Sequence, residues 1–222
     1  VVLRKIVIGS LLFLVGLHAV WAMALAGLRV MNPVTTGVQI QRRIDALFHR
    51  TPYRKRYTFV SLARISPEMQ HAVISAEDGS FYQHHGIDWA ELQKVAEESG
   101  EKGELTRGAS TLTQQLVKNL FFTTHRNPLR KLCEYTLAPM ADRILGKRRV
   151  LELYLNVVEW GPPGIFGIEE GAKFHYKVSA AQLSREQAAR MAAILPAPRR
   201  WRPAHMDDYS AIILARMGKA GW

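Results

Sequence analysis

Glu77-Asp78-Gly79-Ser80-Phe81-Tyr82-Gln83-His84-His85-Gly86-Ile87-Asp88 is the stretch on which the reading of this chain turns. Acids, histidines and a hydroxyl crowd into it more densely than packing alone requires. It follows Ser66-Pro67-Glu68, which reads as a helix start: Ser at the cap, Pro at the first helical position, an acid in the first turn. Met69, Ala72, Val73 and Ala76 continue at helical spacing, so Glu77 is expected at or near the C-terminal end of that helix. Two more polar runs stand downstream. They are Gly108-Ala109-Ser110-Thr111-Leu112-Thr113-Gln114-Gln115-Leu116-Val117-Lys118-Asn119 and Arg130-Lys131-Leu132-Cys133-Glu134. Two carboxylates, several cations and a row of amides point to carbohydrate or phosphate chemistry.

The second run reads as a helix capped by Ser110, with Leu112, Leu116 and Leu120 on its apolar face and Val117 beside them. Thr111, Gln115 and Lys118 then collect a hydroxyl, an amide and an ammonium on the opposite face. Pro128 opens another helix carrying Arg130, Lys131 and Glu134, with the last two at i, i+3 on one side. Further helices are expected over residues 38–50, 89–96, 150–157 and 185–195, and residues 53–62 are expected to be extended. Residues 97–104 are charged and Gly-punctuated, a loop composition placed where a substrate-gating lid would lie; a plain solvated loop fits them equally. Strand signals are scarce, so the soluble part reads as mainly α.

A chain of 222 residues with 48% hydrophobic content holds one domain or two with a real core. Its formal charge of +11 calls for an anionic partner, whether nucleic acid, an acidic membrane surface or a phosphorylated substrate. The single cysteine, Cys133, excludes an intrachain disulfide and Cys-based zinc sites. From Ile6 to Leu28 run 23 residues without a formal charge. As a helix they would span about 34 Å, enough to cross the hydrocarbon core. Ala22-Met23-Ala24 fits a signal-peptidase site loosely, which keeps a cleaved leader as the rival. Arg4 and Lys5 favour a cytoplasmic N-terminus, although Arg29, Arg42 and Arg43 follow the run.

Taken together, the runs resemble the signatures of the peptidoglycan glycosyltransferases (glycosyltransferase family 51), the lysozyme-like family that polymerises lipid II. Glu77-Asp78-x-x-Phe81-x-x-His84-x-Gly86-x-Asp88 is similar to the first signature. Gly108-Ala109-Ser110-Thr111-x-Thr113-Gln114-Gln115-x-x-Lys118-Asn119 is similar to the second and Arg130-Lys131-x-x-Glu134 to the third. Arg148-x-Val150-Leu151-Glu152-x-Tyr154-Leu155-Asn156 resembles the fourth, and Gly161 through Ala172 the fifth. Several ungapped motifs in order over roughly residues 55–205 make a specific signal. The resemblance implies a monofunctional enzyme. Residues 1–5 would be cytoplasmic, 6–28 a transmembrane helix, 29–54 a juxtamembrane linker and helix, and 55–222 a lysozyme-like helical glycosyltransferase domain facing the periplasm from the inner membrane. The chain departs from the family where His175-Tyr176 replaces Tyr-Phe, Gly171 replaces alanine, Asp142 replaces glutamate, and Pro139 lies inside a helix it should kink.

By motif position the resemblance makes Glu77 and Glu134 the catalytic pair. Glu77 is the general base on the acceptor hydroxyl, and Glu134 orients the cations or stabilises charge at the anomeric carbon. Substrate contacts are implied at Asp78, Phe81, His84, Ser110, Thr111, Gln114, Gln115, Lys118, Asn119, Arg130 and Lys131. Lys118 with Arg130 or Lys131 would hold the departing diphosphate. Each residue also has a structural reading. Phe81 suits a core, His84 and His85 suit loop hydrogen bonds, Glu134 suits a helical ion pair of small energetic value, and Asn156 suits a structural role. No cofactor is required, and no cluster of carboxylates demands a divalent cation. The implied partners are lipid II and the growing glycan strand, membrane lipids, and proteins of cell-wall synthesis or division, but no nucleic acid. A lytic muramidase on the same scaffold would not need these cations. A membrane-tethered scaffold without catalysis would not need the glutamate pair.

Overall fold

The computed structural model describes residues 2–102, 109–125 and 127–222. Among them ten α-helices carry nearly all the regular structure, beside one parallel pair of two-residue strands. Helix α1 (Val2–Leu28) is long and apolar enough to cross a membrane. It is exposed through Gly16. From there Leu17, His18, Trp21, Ala22, Leu25 and Leu28 turn one face towards the rest of the chain, and Leu25 is wholly buried.

Helix α2 (Gly37–Phe48) packs on the second-run helix, α5 (Leu112–Phe121). Helix α3 (Pro67–Glu77) begins as expected, the Ser66 hydroxyl accepting from the Met69 N–H at 3.2 Å, and it ends on Glu77. Helix α4 (Trp89–Lys102) runs on through residues 97–102, where a loop was expected. Glu and Lys are good helix formers, no Pro interrupts, and Gln93 donates to Glu97 one turn on at 2.9 Å. Residues 103–104 of that segment, and Gly108, lie outside the described residues.

The cap of α5 is Thr111, not Ser110. Its hydroxyl accepts from the Gln114 N–H while Gln114 Oε1 accepts from the Thr111 N–H, both at 3.1 Å, a capping box. The same hydroxyl donates to the Gly86 carbonyl at 2.6 Å. Thr111 therefore fixes the start of the helix and does not stand on a polar face with Gln115 and Lys118. Leu112, Leu116 and Val117 are wholly buried, which makes α5 the central helix. Gly86 has φ +88°, and a Cβ there would come within 2.5 Å of the Ala138 carbonyl. Only glycine lets the first run lie this close to α6 (Pro128–Leu145). That helix continues through Pro139.

The chain then forms α7 (Lys147–Val157), α8 (Ile168–Tyr176), α9 (Arg185–Ala193) and α10 (Asp207–Lys219). Neither α8 nor α10 has a side-chain cap, and both go unannounced in the sequence. Of residues 53–62, only Arg56–Tyr57 pair as a strand, with Ile165–Phe166. Val60 bonds instead to Asn156, which accepts from its N–H and donates to its carbonyl, both at 2.9 Å. Asn156 also donates to the Glu152 carbonyl at 2.7 Å, so its amide is wholly structural.

Two helix groups result: α3 with α9 and α10, and α5 with α6 and α7. Three of the departures from the family pattern, Gly171, His175 and Asp142, fall at sites the packing explains. A Cβ on Gly171 would sit 2.7 Å from Trp160 Cβ, and His175 Nε2 lies 2.7 Å from the Trp160 carbonyl. Asp142 pairs with Lys147 at 2.7 Å and accepts from Thr113 at 3.3 Å. Gly171→Ala should destabilise the fold by about 1–3 kcal/mol, because overpacking outweighs the gain in helix propensity. Thermal unfolding measures this, and an unchanged or higher Tm would show that Trp160 gives way.

Candidate active site

The helix groups enclose a cleft of about 1370 Å³, lined by the end of α3, the following loop, the start of α4, the N-terminal half of α5, Leu195-Pro196, and Tyr209 and Arg216 of α10. Gln115, Lys118, Leu195 and Pro196 also line a second cavity of about 700 Å³. The two spaces therefore meet along one edge of α5. The second is cationic, with Arg42, Arg130, Arg199 and Arg200 joining Lys118 on its wall.

Glu77 projects from the last turn of α3 into the first cleft. Gln115 Nε2 donates to its Oε2 at 2.7 Å, and Gln115 Oε1 accepts from the Tyr154 hydroxyl at 3.1 Å. Burial pushes the Glu77 carboxyl above its ordinary value of 4.5; the Gln115 hydrogen bond and the Lys118 charge hold it down in part, and Asp78 adds to the rise. A raised pKa strengthens a carboxylate as a proton acceptor.

Lys118 lies between the two cavities and is partly buried. Burial lowers its pKa, the charges of Glu134 and Glu77 oppose that, and Arg130 and Lys131 reinforce it. Among the described residues no carboxylate approaches its ammonium within ion-pair distance. Glu134 is 97% buried (3% exposed). Arg130 reaches it at 2.9 Å and Lys131 at 3.2 Å, and the Lys131 ammonium donates onward to Ser110 Oγ at 2.8 Å. Glu134 lines neither cavity, and it meets them through the two cations it holds.

The other expected contacts divide in two. Asp78 is buried, accepting from the Leu112 N–H and facing His84 Nε2, both at 2.9 Å, so it joins the first run to the start of α5. Phe81 is wholly buried, with the Lys147 ammonium 4.7 Å from its ring centroid. Gln114 belongs to the cap, and Asn119 donates to the Gln115 carbonyl at 2.8 Å while touching the second cavity. Glu77, Asp78, His84, Ser110, Thr111, Gln115 and Lys118 line the first cleft, and Arg130 and Asn119 line the second cavity; Phe81 and Gln114 support them from behind, and Lys131 lines neither space. Sequence reasoning missed Arg42, Tyr154, Arg199, Arg200, Tyr209 and Arg216. Burial raises the Tyr209 pKa and the Glu77 charge raises it further, marking how near the two stand. Two signals were available: Tyr154 stands in the fourth signature, and Pro196-Ala197-Pro198-Arg199-Arg200 is a stiff turn ending in two cations.

Assigned as the general base in the function proposed below, Glu77 must be ionised, so kcat/KM should fall on the acid side through its raised pKa, above 4.5. In Gln115→Ala the main hydrogen bond favouring the carboxylate is gone, so that acid limb should move to higher pH. A limb that stays put would remove Gln115 from the control of Glu77.

Residues 44–218 match the model of the transglycosylase family. A protein of Dechloromonas aromatica described as a biosynthetic peptidoglycan transglycosylase is 41% identical over 219 residues, covering 95% of this chain and 94% of that protein. One of Laribacter hongkongensis with the same description is 40% identical over 177 residues, 80% of this chain and 77% of that one. Another, of Brucella suis biovar 1, is 44% identical over 167 residues, 73% and 74% of the two chains. With a family match that spans the cleft, both glutamates and every run of polar residues that builds them, the chain belongs to the transglycosylase family.

Proposed function

We propose that this chain polymerises lipid II into β-1,4-linked glycan strands for the cell wall, releasing undecaprenyl diphosphate. The acceptor sugar lies in the larger cleft, where Glu77 takes the proton of its 4-hydroxyl as the oxygen attacks the donor's anomeric carbon. Attack from the face opposite the diphosphate inverts that centre, so an α-linked donor gives a β bond. The diphosphate leaves without being protonated, its growing charge met by Lys118, Arg130 and Lys131. Glu134 holds the last two in place. No step requires a metal or an organic cofactor.

The observation that carries this reading is Lys118, a partly buried cation without an ion-pair partner among the described residues, set where the glutamate cleft meets the cationic cavity. A muramidase needs a carboxyl to protonate its leaving group and gains nothing from such a cation. Labelled lipid II supplied to the full chain should become polymer, and preformed glycan should stay intact. Shortened glycan without polymer would establish the lytic reading instead.

The same reading places α1 in the inner membrane, with Arg4 and Lys5 on the cytoplasmic side and the cleft in the periplasm. Protease added to spheroplasts should digest the domain and leave the anchor in the membrane fraction. Protection of the domain would reverse the topology and exclude a cell-wall polymerase.

A further inference from the structure

Arg149 belongs to α7, yet its guanidinium reaches out to the end of the anchor helix. Nε donates to the Leu28 carbonyl at 2.9 Å; Nη2 donates to the Met31 carbonyl at 2.7 Å and to Asn32 Oδ1 at 2.9 Å. On the domain side Nη1 pairs with Glu152, whose other oxygen accepts from the Leu62 N–H at 2.7 Å. The guanidinium carbon also lies 5.5 Å from the Phe59 ring centroid. The last carbonyls of a helix lack intrahelical partners and carry the negative end of its dipole. A planar fork of five N–H donors satisfies the Leu28 carbonyl together with the Met31 carbonyl and the Asn32 side chain just past the helix, a geometry an ammonium does not offer. Arg149 thus caps α1 from a different helix.

A second line of contact runs down the same face of α1. His18 Nε2 lies 3.2 Å from Thr136 Oγ1 of α6, the Trp21 and Phe122 rings meet edge-on at 5.9 Å, and Leu25 is wholly buried. Both docking partners are helices of the site: α6 carries Lys131 and Glu134, and α7 carries Tyr154. Length adds a constraint. Residues 2–16, the exposed part of α1, extend only about 22 Å, whereas the hydrocarbon core is about 30 Å thick. The docked half of α1 must therefore share the membrane's depth, so the way it docks sets where the domain sits.

We infer that α1 is a rigid strut and that Arg149 is a positioning residue, fixing the height and tilt of the cleft over the bilayer. This rests on the lipid II reading, since only a substrate confined to the membrane makes that height matter. The diphosphate of such a substrate lies at a set depth. A cleft held at that depth meets it already oriented, whereas a cleft on a loose tether must find both depth and angle.

The test compares the parent with Arg149→Ala in two media: proteoliposomes with long-chain lipid II, and detergent micelles with a short-prenyl analogue. Turnover of Arg149→Ala should fall roughly 10- to 100-fold in bilayers, the scale of a misplaced reactant, and stay close to the parent's in micelles. Arg149→Lys should not restore it, because the fork is lost. In a Cys133→Ser background, His18→Cys with Thr136→Cys supplies a thiol pair for a short bifunctional cross-linker, and cross-linking should restore bilayer turnover to Arg149→Ala. Equal loss in both media, or full activity in bilayers, would overturn the strut. Cross-linking yield on a gel needs no activity and separates the two readings. The cysteine-pair chain that keeps Arg149 refutes the strut if it fails to cross-link in membranes, and refutes the lipid II reading if it cross-links but makes no polymer.

Discussion

Glu77→Gln should lower turnover by roughly 10²–10⁴-fold, the usual contribution of a positioned base, while leaving the fold intact. Glutamine keeps the size of the side chain and can still meet Gln115, but it cannot accept the acceptor hydroxyl's proton. The variant should also be more stable than the parent at neutral pH. The folded-state pKa of Glu77 is raised above 4.5, chiefly by burial. A group raised in this way favours the folded state fully below its unfolded pKa, and that contribution is lost as pH climbs through the folded value. Glutamine resembles the protonated form at every pH, so the stability difference should open above about pH 4.5 and close below it. Polymerisation assays and thermal unfolding across pH measure the two halves. Near-normal polymer from a well-folded Glu77→Gln would remove the residue from the base role.

Lys118→Ala should reduce polymerisation by about 10²–10³-fold, the range found when one preorganised electrostatic partner is removed from a developing anion. It should weaken binding of diphosphate-mimicking inhibitors as well. Its stability should not suffer. Burial lowers the Lys118 pKa, so the folded chain holds this charge at a cost and loses no ion pair when it goes. Removing Lys131 should look different, because its ammonium ties Glu134 to Ser110 and its loss leaves a buried carboxylate less well paired. Unchanged inhibitor affinity in folded Lys118→Ala would reduce Lys118 to a wall of the cavity.

What could be read from the residues alone was whatever is local. Ser66-Pro67-Glu68 announces α3, and the arrival of Glu77 at its end follows from counting turns. The Leu112, Leu116, Leu120 stripe announces α5 and its buried face. The choice between Ser110 and Thr111 as cap could not be read, because both hydroxyls fit. Contacts from far along the chain settle it: the Gly86 carbonyl draws Thr111 inward, and Lys131 claims Ser110. Arg42, Tyr209 and Arg216 were illegible for the same reason. Each enters the site from an element whose own pattern carries no chemistry. The loop reading of residues 97–102 failed because charged composition alone does not separate an exposed helix from a solvated turn. The departures at Gly171 and His175 look unrelated in sequence, and only the shared contact with Trp160 joins them.

The path from Tyr154 through Gln115 to Glu77 has a direction. Burial raises the Tyr154 pKa well above its ordinary value, so its hydroxyl keeps its proton and gives it to Gln115 Oε1. With its oxygen so occupied, the amide can present only its NH₂ to Glu77. That donor favours the carboxylate against the pull of burial, and a carboxylic acid O–H directed at that nitrogen would find no acceptor. A buried phenol on the wall of the second cavity thereby offsets part of the rise that burial imposes on the base. Without its hydroxyl the amide could turn end for end, and the site would accept the protonated, idle form of Glu77 as readily as the working one.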